Sequence, residues 1–222
     1  AFSKVPTAFQ PLLQCCELIL LGGCRRSYSG NEGLCTKKTV ERIRDMDYTI
    51  HYDSPLGGIT LGSDGKALLG LWLDDQKYFA DSLAKQYEVK ELPVFEETKR
   101  WLDIYFSGGI PDFTPPLLMK CSDFRKSVWK IMLGIPYGHT MTYGEIADKV
   151  AKERGLENMS AQAVGGAVGH NSISLIIPCH RVVGSSGSLT GYAGGINKKV
   201  QLLTLEKANM EHFFVPKKGT AL

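Results

Sequence analysis

Three prolines within seven residues, in "PDFTPPL" at 111–117, break this 222-residue chain into two parts. Proline lacks the N–H that a helix interior or sheet ladder needs, so neither element can run through them, and 111–117 is the expected linker. The patterns on its two sides differ. From Asp47, "DYTIHYDS" sets Tyr48, Ile50 and Tyr52 against Thr49 and His51, the period of a strand. "SPLGG" at 54–58 reads as a turn, "ITLGS" as a second strand and, after the turn "SDGK", "ALLGLWL" at 67–73 as a buried strand. Pro93 can open a helix with Phe95, Trp101, Leu102 and Tyr105 near one face, ended by "SGG" at 107–109.

Beyond the linker the spacing becomes helical. Ser122 is a natural cap for a helix that carries Phe124, Val128, Ile131, Met132 and Ile135. Thr142 and Glu145 form a capping box ahead of "YGEIADKV", and Ser160 caps "AQAVGGAVG" after a polar connection containing Gly155. Two short helices joined by a polar turn, then strands and a glycine-rich loop, indicate a winged helix-turn-helix. The expected fold class is α+β, with a small N-terminal β-meander and helices over 46–115 and a winged-helix part over 116–210. Residues 211–222 are then a tail.

Residues 1–45 fit neither pattern. "PLLQCCELILLGG" at 11–23 is apolar but interrupted by Gln14 and Glu17, and is shorter than the roughly 20 residues that cross a bilayer. "LGGC" at 21–24 faintly resembles a lipoprotein cleavage box, but the polar interruptions are wrong for a signal core. "RRSYSGNEGLCTKK" has no apolar periodicity and reads as loop or disorder. The expectation is an upstream extension, with the working protein beginning near Met46 and no membrane involved.

The net charge of +3 conceals a split. Residues 47–120 carry twelve Asp and Glu against seven Lys and Arg, and residues 121–222 carry the reverse. A basic C-terminal part points to a polyanion partner, with chance clustering on solvated faces as the bland alternative. Helix 161–169 adds to the same question, since it has almost no bulk and includes Gly165 and Gly166. A Gly–Gly pair inside a helix costs up to about 2 kcal/mol relative to alanine. Small residues allow close approach to another backbone, either a neighbouring helix or a nucleic acid.

The six cysteines at 15, 16, 24, 35, 121 and 179 include no repeated CxxC pair, so neither a zinc ribbon nor a disulfide framework is signalled. Cys121 and Cys179 are expected to be free thiols in a reducing compartment, with no metal and no cofactor. "SLIIPCHRVV" at 174–183 is apolar on both sides of "PCHR", which predicts a strand buried on both faces. A buried cysteine is usually an inert small hydrophobe. Three features oppose that here. Pro178 must bend or end the strand, His180 and Arg181 bring donors that favour thiolate, and "GSSGSLTGYAGG" at 184–195 is a flexible loop suited to covering a site. Adjacent strand residues point to opposite faces, so Cys179 and His180 meet only if Pro178 distorts the backbone or a water bridges them. Glu206, among Leu202, Leu203 and Leu205, is a carboxylate available to orient His180, or else a solvent-facing helix residue.

"PCHRVVG", "AVGGAVGHN", "TYGEIA", "SPLGG" and "GYAGG" followed by "LLTLE", with the order they hold in the chain, resemble the O6-alkylguanine-DNA alkyltransferases. The resemblance covers residues 46 to about 210. It implies an RNase H-like N-terminal domain before the winged helix, and irreversible, cofactor-free transfer of an alkyl group from guanine O6, and from thymine O4, to the protein's own cysteine. Cys179 matches the acceptor, His180 the base acting through water, and Glu206 its orienting partner. Tyr143 matches the tyrosine that assists guanine departure, and Asn171 the asparagine beside the cysteine. Val182, Tyr192, Ala193 and Gly194 match the pocket for the extruded base. Ser160, Ala161, Gln162 and Ala163 match the start of the recognition helix, which enters the minor groove of duplex DNA. The resemblance further implies a monomer in the cytoplasm, or in the nucleus of a eukaryote.

Some relatives carry arginine in "ARAVGGA", whereas this chain has Gln162, which hydrogen-bonds but brings no cation. Ala193 stands where some have serine. The alternatives are a lesion sensor, a winged-helix regulator with a structural cysteine, and a Cys–His hydrolase that turns over. Sensors of this kind lack the cysteine of "PCHR", which is present here.

Overall fold

The computed structural model describes residues 46–216. The extension expected over 1–45 and the last residues of the tail lie outside them. Strands β1 (Asp47–Ser54), β2 (Gly57–Ser63) and β3 (Leu68–Leu73) form an antiparallel meander, with Ile50 opposite Leu61 and Leu61 opposite Leu71. A short β4 (Tyr87–Val89) adds parallel to β1, which gives the order β3-β2-β1-β4. All six residues of β3 are buried, because both of its faces are covered. Gly70 makes room there. A Cβ at this position would overlap the ring of Trp72, itself fully buried and unable to swing away. Helix α1 (Pro93–Phe106) starts with proline in its first turn and packs Phe95, Trp101, Leu102 and Tyr105 inward.

The proline-rich segment does more than connect. Leu68 N–H donates to Pro116 O at 2.7 Å, and Leu118 N–H donates to Leu68 O at 2.8 Å, so the chain after the prolines runs along the outer edge of β3. Further along that edge, Leu71 N–H donates to Ser172 O at 2.8 Å and Ser174 N–H donates to Leu71 O at 2.9 Å. The sheet thus holds the segment that leads to Cys179. One hydrophobic core follows, containing Ile50, Leu71, Trp129, Ile146, Cys179 and Leu202 together.

Helices α2 (Asp123–Leu133), α3 (Tyr143–Arg154) and α4 (Ala161–Gly169) pack on one another. Their starts are the expected ones. Ser122 and Ser160 accept from backbone N–H groups, and Thr142 with Glu145 makes the capping box. Gly155, at φ +65°, ends α3 in the left-handed region that glycine enters freely. Strands β5 (Met141–Thr142) and β6 (Val182–Val183) pair in parallel, and α5 (Ile196–Leu205) closes the fold. No helix among the described residues is long and apolar enough to cross a membrane.

Gly70→Ala should destabilise the protein by about 1–3 kcal/mol, the usual cost of overpacking a core, read as a lower urea midpoint. An unchanged midpoint would mean that Trp72 relocates freely.

Candidate active site

Of the buried strand expected over 174–183, only Val182–Val183 forms, as β6. Leu175 has φ +68°, and Ile176 N–H closes a three-residue turn onto Ser174 O at 2.8 Å. Pro178, at φ −82° and ψ 68°, is the centre of an inverse γ-turn closed by Cys179 N–H on Ile177 O at 2.8 Å. Cys179–Arg181 then form one turn of 3-10 helix. Proline cannot continue a ladder, so the chain curls, and the alternation of a strand no longer separates the cysteine from the histidine. The backbone is distorted at Pro178, yet no hydrogen bond joins Cys179 to His180 among the described residues, so the water bridge stays open.

Cys179 is 4% exposed. Its sulfur accepts from Asn171 Nδ2 at 3.2 Å, and the same amide donates to Ile177 O at 2.7 Å while its Oδ1 accepts from Ile173 N–H. Asn171 therefore holds both the turn and the sulfur. Burial pushes the Cys179 thiol up, against the pull of Asn171 and of the Lys199 ammonium. The resting group is a neutral thiol.

Glu206 stands at the C-terminal end of α5 and is 2% exposed. Tyr105 Oη donates to Oε1 at 2.7 Å, Arg181 Nε to Oε2 and its terminal nitrogen to Oε1, both at 2.9 Å, and Gly138 N–H to Oε2 at 3.1 Å. Gly138, at φ +72°, has no room for a Cβ against Glu206 O. His180 Nε2 completes the set at 2.7 Å from Oε1. Burial alone would raise this carboxyl, but the His180 bond and the Arg181 guanidinium hold it well below the usual carboxylate range. A carboxylate only accepts, so Nε2 carries the proton of the bond. Burial pushes His180 itself down, in opposition to Glu206, and keeps the imidazole neutral. Its Nδ1 is then the lone-pair nitrogen, and it has no partner among the described residues.

Tyr143, at the start of α3, donates to Thr190 O at 3.2 Å, and burial with the nearby Cys179 pushes it up to about 12. The fully buried Lys199 donates to Val182 O at 2.6 Å and Thr190 O at 3.0 Å, and burial pushes it down to about 8. Lys199 and Tyr105 were not singled out from the sequence, where each reads as one more position on a helix face. Arg181, expected to favour the thiolate, is turned instead onto Glu206, and its other terminal nitrogen donates to Ile135 O.

A cleft of about 710 Å³ is lined by Gly165 and Gly166 of α4, by Tyr192, Ala193 and Gly194, and by Tyr78 from the turn after β3, while Cys179, His180 and Glu206 are not among its lining residues. Val182 is not part of its lining. It is buried in β6, with its carbonyl taken by Lys199. Ser160, Ala161, Gln162 and Ala163 are exposed together at the start of α4. Among the described residues the glycine pair has no packing reason. A Cβ on Gly166 meets nothing within 4 Å, and one on Gly165 only the Tyr143 ring at 4.0 Å. Tight packing against a neighbouring helix is thereby set aside, and the bare face borders the cleft.

Fold and site together define a protein with, among the described residues, a single buried, hydrogen-bonded thiol, a neutral histidine beside it bonded to an ionised glutamate of α5, and a helix-turn-helix. Two family descriptions match it: "6-O-methylguanine DNA methyltransferase, ribonuclease-like domain" over residues 48–119, and "6-O-methylguanine DNA methyltransferase, DNA binding domain" over residues 123–208. The methylated-DNA–protein-cysteine methyltransferase of Mycobacterium tuberculosis H37Rv is 43% identical over 162 residues, covering 72% of this chain and 93% of the relative. That of Methanosarcina barkeri is 43% identical over 164 residues, 72% of this chain and 99% of its own. The crystal structure of Mycobacterium tuberculosis OGT in complex with DNA superposes with a TM-score of 0.62 at 42% identity, over 73% of this chain and 92% of that one. The chain belongs to the 6-O-methylguanine DNA methyltransferase family.

Gly166→Ala should stabilise the free protein by about 0.5–1 kcal/mol, the helix propensity difference, and weaken binding to duplex DNA. Stabilisation with unchanged duplex affinity would show that the bare face meets no partner.

Proposed function

We propose that the protein repairs DNA by taking the alkyl group of an O6-alkylguanine, or an O4-alkylthymine, onto Cys179 in a single irreversible event. The observation that carries this reading is the sulfur held by Asn171 one residue from an imidazole whose Nε2 is committed to Glu206. A neutral thiol is a weak nucleophile and needs a base. The Nδ1 lone pair of His180 takes the thiol proton through one bridging water, and the ionised Glu206 stabilises the imidazolium that forms. The thiolate then attacks the alkyl carbon. The S–C bond forms as the C–O6 bond breaks, and the electron pair passes to the guanine, which leaves by accepting a proton from Tyr143. The Lys199 ammonium favours the thiolate while it exists, and the thioether product cannot revert, so each molecule acts once.

The target base must leave the duplex to reach a buried sulfur. The recognition helix, Ser160 to Ala163 first, enters the minor groove as a monomer, with Tyr192, Ala193 and Gly194 forming the base pocket. Val182 supports that pocket from behind rather than lining it. Gln162 fills the gap left by the base with hydrogen bonds but without the stacking plane of arginine. A free thiol used in this way belongs in a reducing compartment, cytoplasmic or nuclear.

The test is incubation with an O6-methylguanine duplex and mass mapping of every cysteine. One methyl on Cys179 per molecule is expected, with none for Cys179→Ser and a rate lowered by roughly 10²–10⁴-fold for His180→Ala, the usual worth of a positioned base. Methyl on Cys121, or transfer by Cys179→Ser, would overturn the reading.

A further inference from the structure

Gln76 lies on the turn after β3, about a hundred positions before the reactive turn, yet it is 4% exposed. Burying an amide is unfavourable unless its donors and acceptors are used, and here they are. Its Oε1 accepts from Leu73 N–H at 3.2 Å and from Ser174 Oγ at 2.9 Å, and its Nε2 donates to Asn171 O at 3.3 Å. A backbone N–H can only donate, so Leu73 fixes which end of the amide is which. The two residues that Gln76 reaches, more than ninety positions along the chain, bracket the segment entering the reactive turn. Asn171 is the donor to the Cys179 sulfur. Ser174 precedes Leu175, a bulky residue at φ +68°. Such a conformation persists only where its surroundings enforce it.

We propose that Gln76 is a positioning residue for alkyl transfer. By gripping Asn171 and Ser174 together it holds the strained turn that aims Cys179, so the sheet region takes part in the reaction geometry. This rests on the function proposed above. Gln76 touches neither sulfur nor substrate and acts through the two residues it holds. Loss of the amide lets Ser174 and the Leu175 turn relax, and Asn171 no longer meets the sulfur at a fixed angle.

The experiment is single-turnover transfer from an O6-methylguanine duplex, with the rate at saturating duplex separated from the dissociation constant. Gln76→Met, close in shape but without hydrogen bonds, should slow the saturated rate about 10-fold or more, as loss of an orienting partner does elsewhere, and leave duplex affinity unchanged. Ser174→Ala cuts the same link from its other end and should slow transfer similarly. In the double variant the losses should multiply only in part, because the Gln76–Ser174 bond is lost in both single variants while the Gln76–Asn171 bond is lost only in Gln76→Met. If Gln76→Met fails to fold by circular dichroism, Gln76→Glu, which keeps the acceptor for Leu73 and Ser174 but has no donor for Asn171, takes its place in the same assay. An unchanged saturated rate, or losses that multiply fully, would overturn the proposal. Should the unmodified chain take no methyl on Cys179, the proposed function fails instead. Cys179 alkylation by iodoacetamide then tests the clamp without DNA, with faster labelling of Gln76→Met expected, because a loosened turn uncovers the thiol, and equal labelling overturning it.

Discussion

A fully buried carboxylate is the constraint on which the rest of the site depends. An ionised Glu206 without partners would be too costly to bury, and the chain meets this with donors from three separate places. Tyr105 comes from α1, Gly138 from the turn before β5, and Arg181 and His180 from the 3-10 turn. These groups meet only when the sheet region and the helical region are both folded. The carboxylate is thus at once the hydrogen-bond partner of His180 and the point where both halves of the chain converge. Removing it would strand the Arg181 guanidinium in the interior, a loss much larger than one hydrogen bond.

The thiol follows a complementary logic. Burial favours its neutral form, so it needs a base before it can act as a nucleophile. The proton then has one nearby nitrogen lone pair to reach, His180 Nδ1, because Nε2 is already committed. Tyr143 and Lys199 share the Thr190 carbonyl, so the group assigned to the departing base and the group assigned to the thiolate are held by one atom. The edge of β3, far from the thiol in sequence, carries the segment that presents it.

Much of this was legible in the residues. The strand alternation from Asp47, the opening proline of α1, the serine caps and the Thr142–Glu145 box are local signals, and each appears where the residues placed it. The reactive turn was not legible as a shape. Its apolar run has the composition of a buried strand, and only Pro178 hinted that the ladder stops. The left-handed turn at Leu175 has no signature, since leucine ordinarily avoids positive φ. Tyr105 and Gln76 were equally silent. Each becomes informative only when a distant segment is brought against it, and hydrophobic periodicity records burial without recording which partner lies across the interface.

The account stands on a neutral His180 whose proton sits on the nitrogen facing Glu206, leaving Nδ1 free to act. Nitrogen-15 NMR of the His180 ring measures this directly. From about pH 6 to 8, where an ordinary histidine titrates, the spectra should keep a protonated Nε2 and a bare Nδ1 throughout, and Glu206→Gln should disturb that pattern. A ring that is doubly protonated across this range, or that carries its proton on Nδ1, would contradict the account.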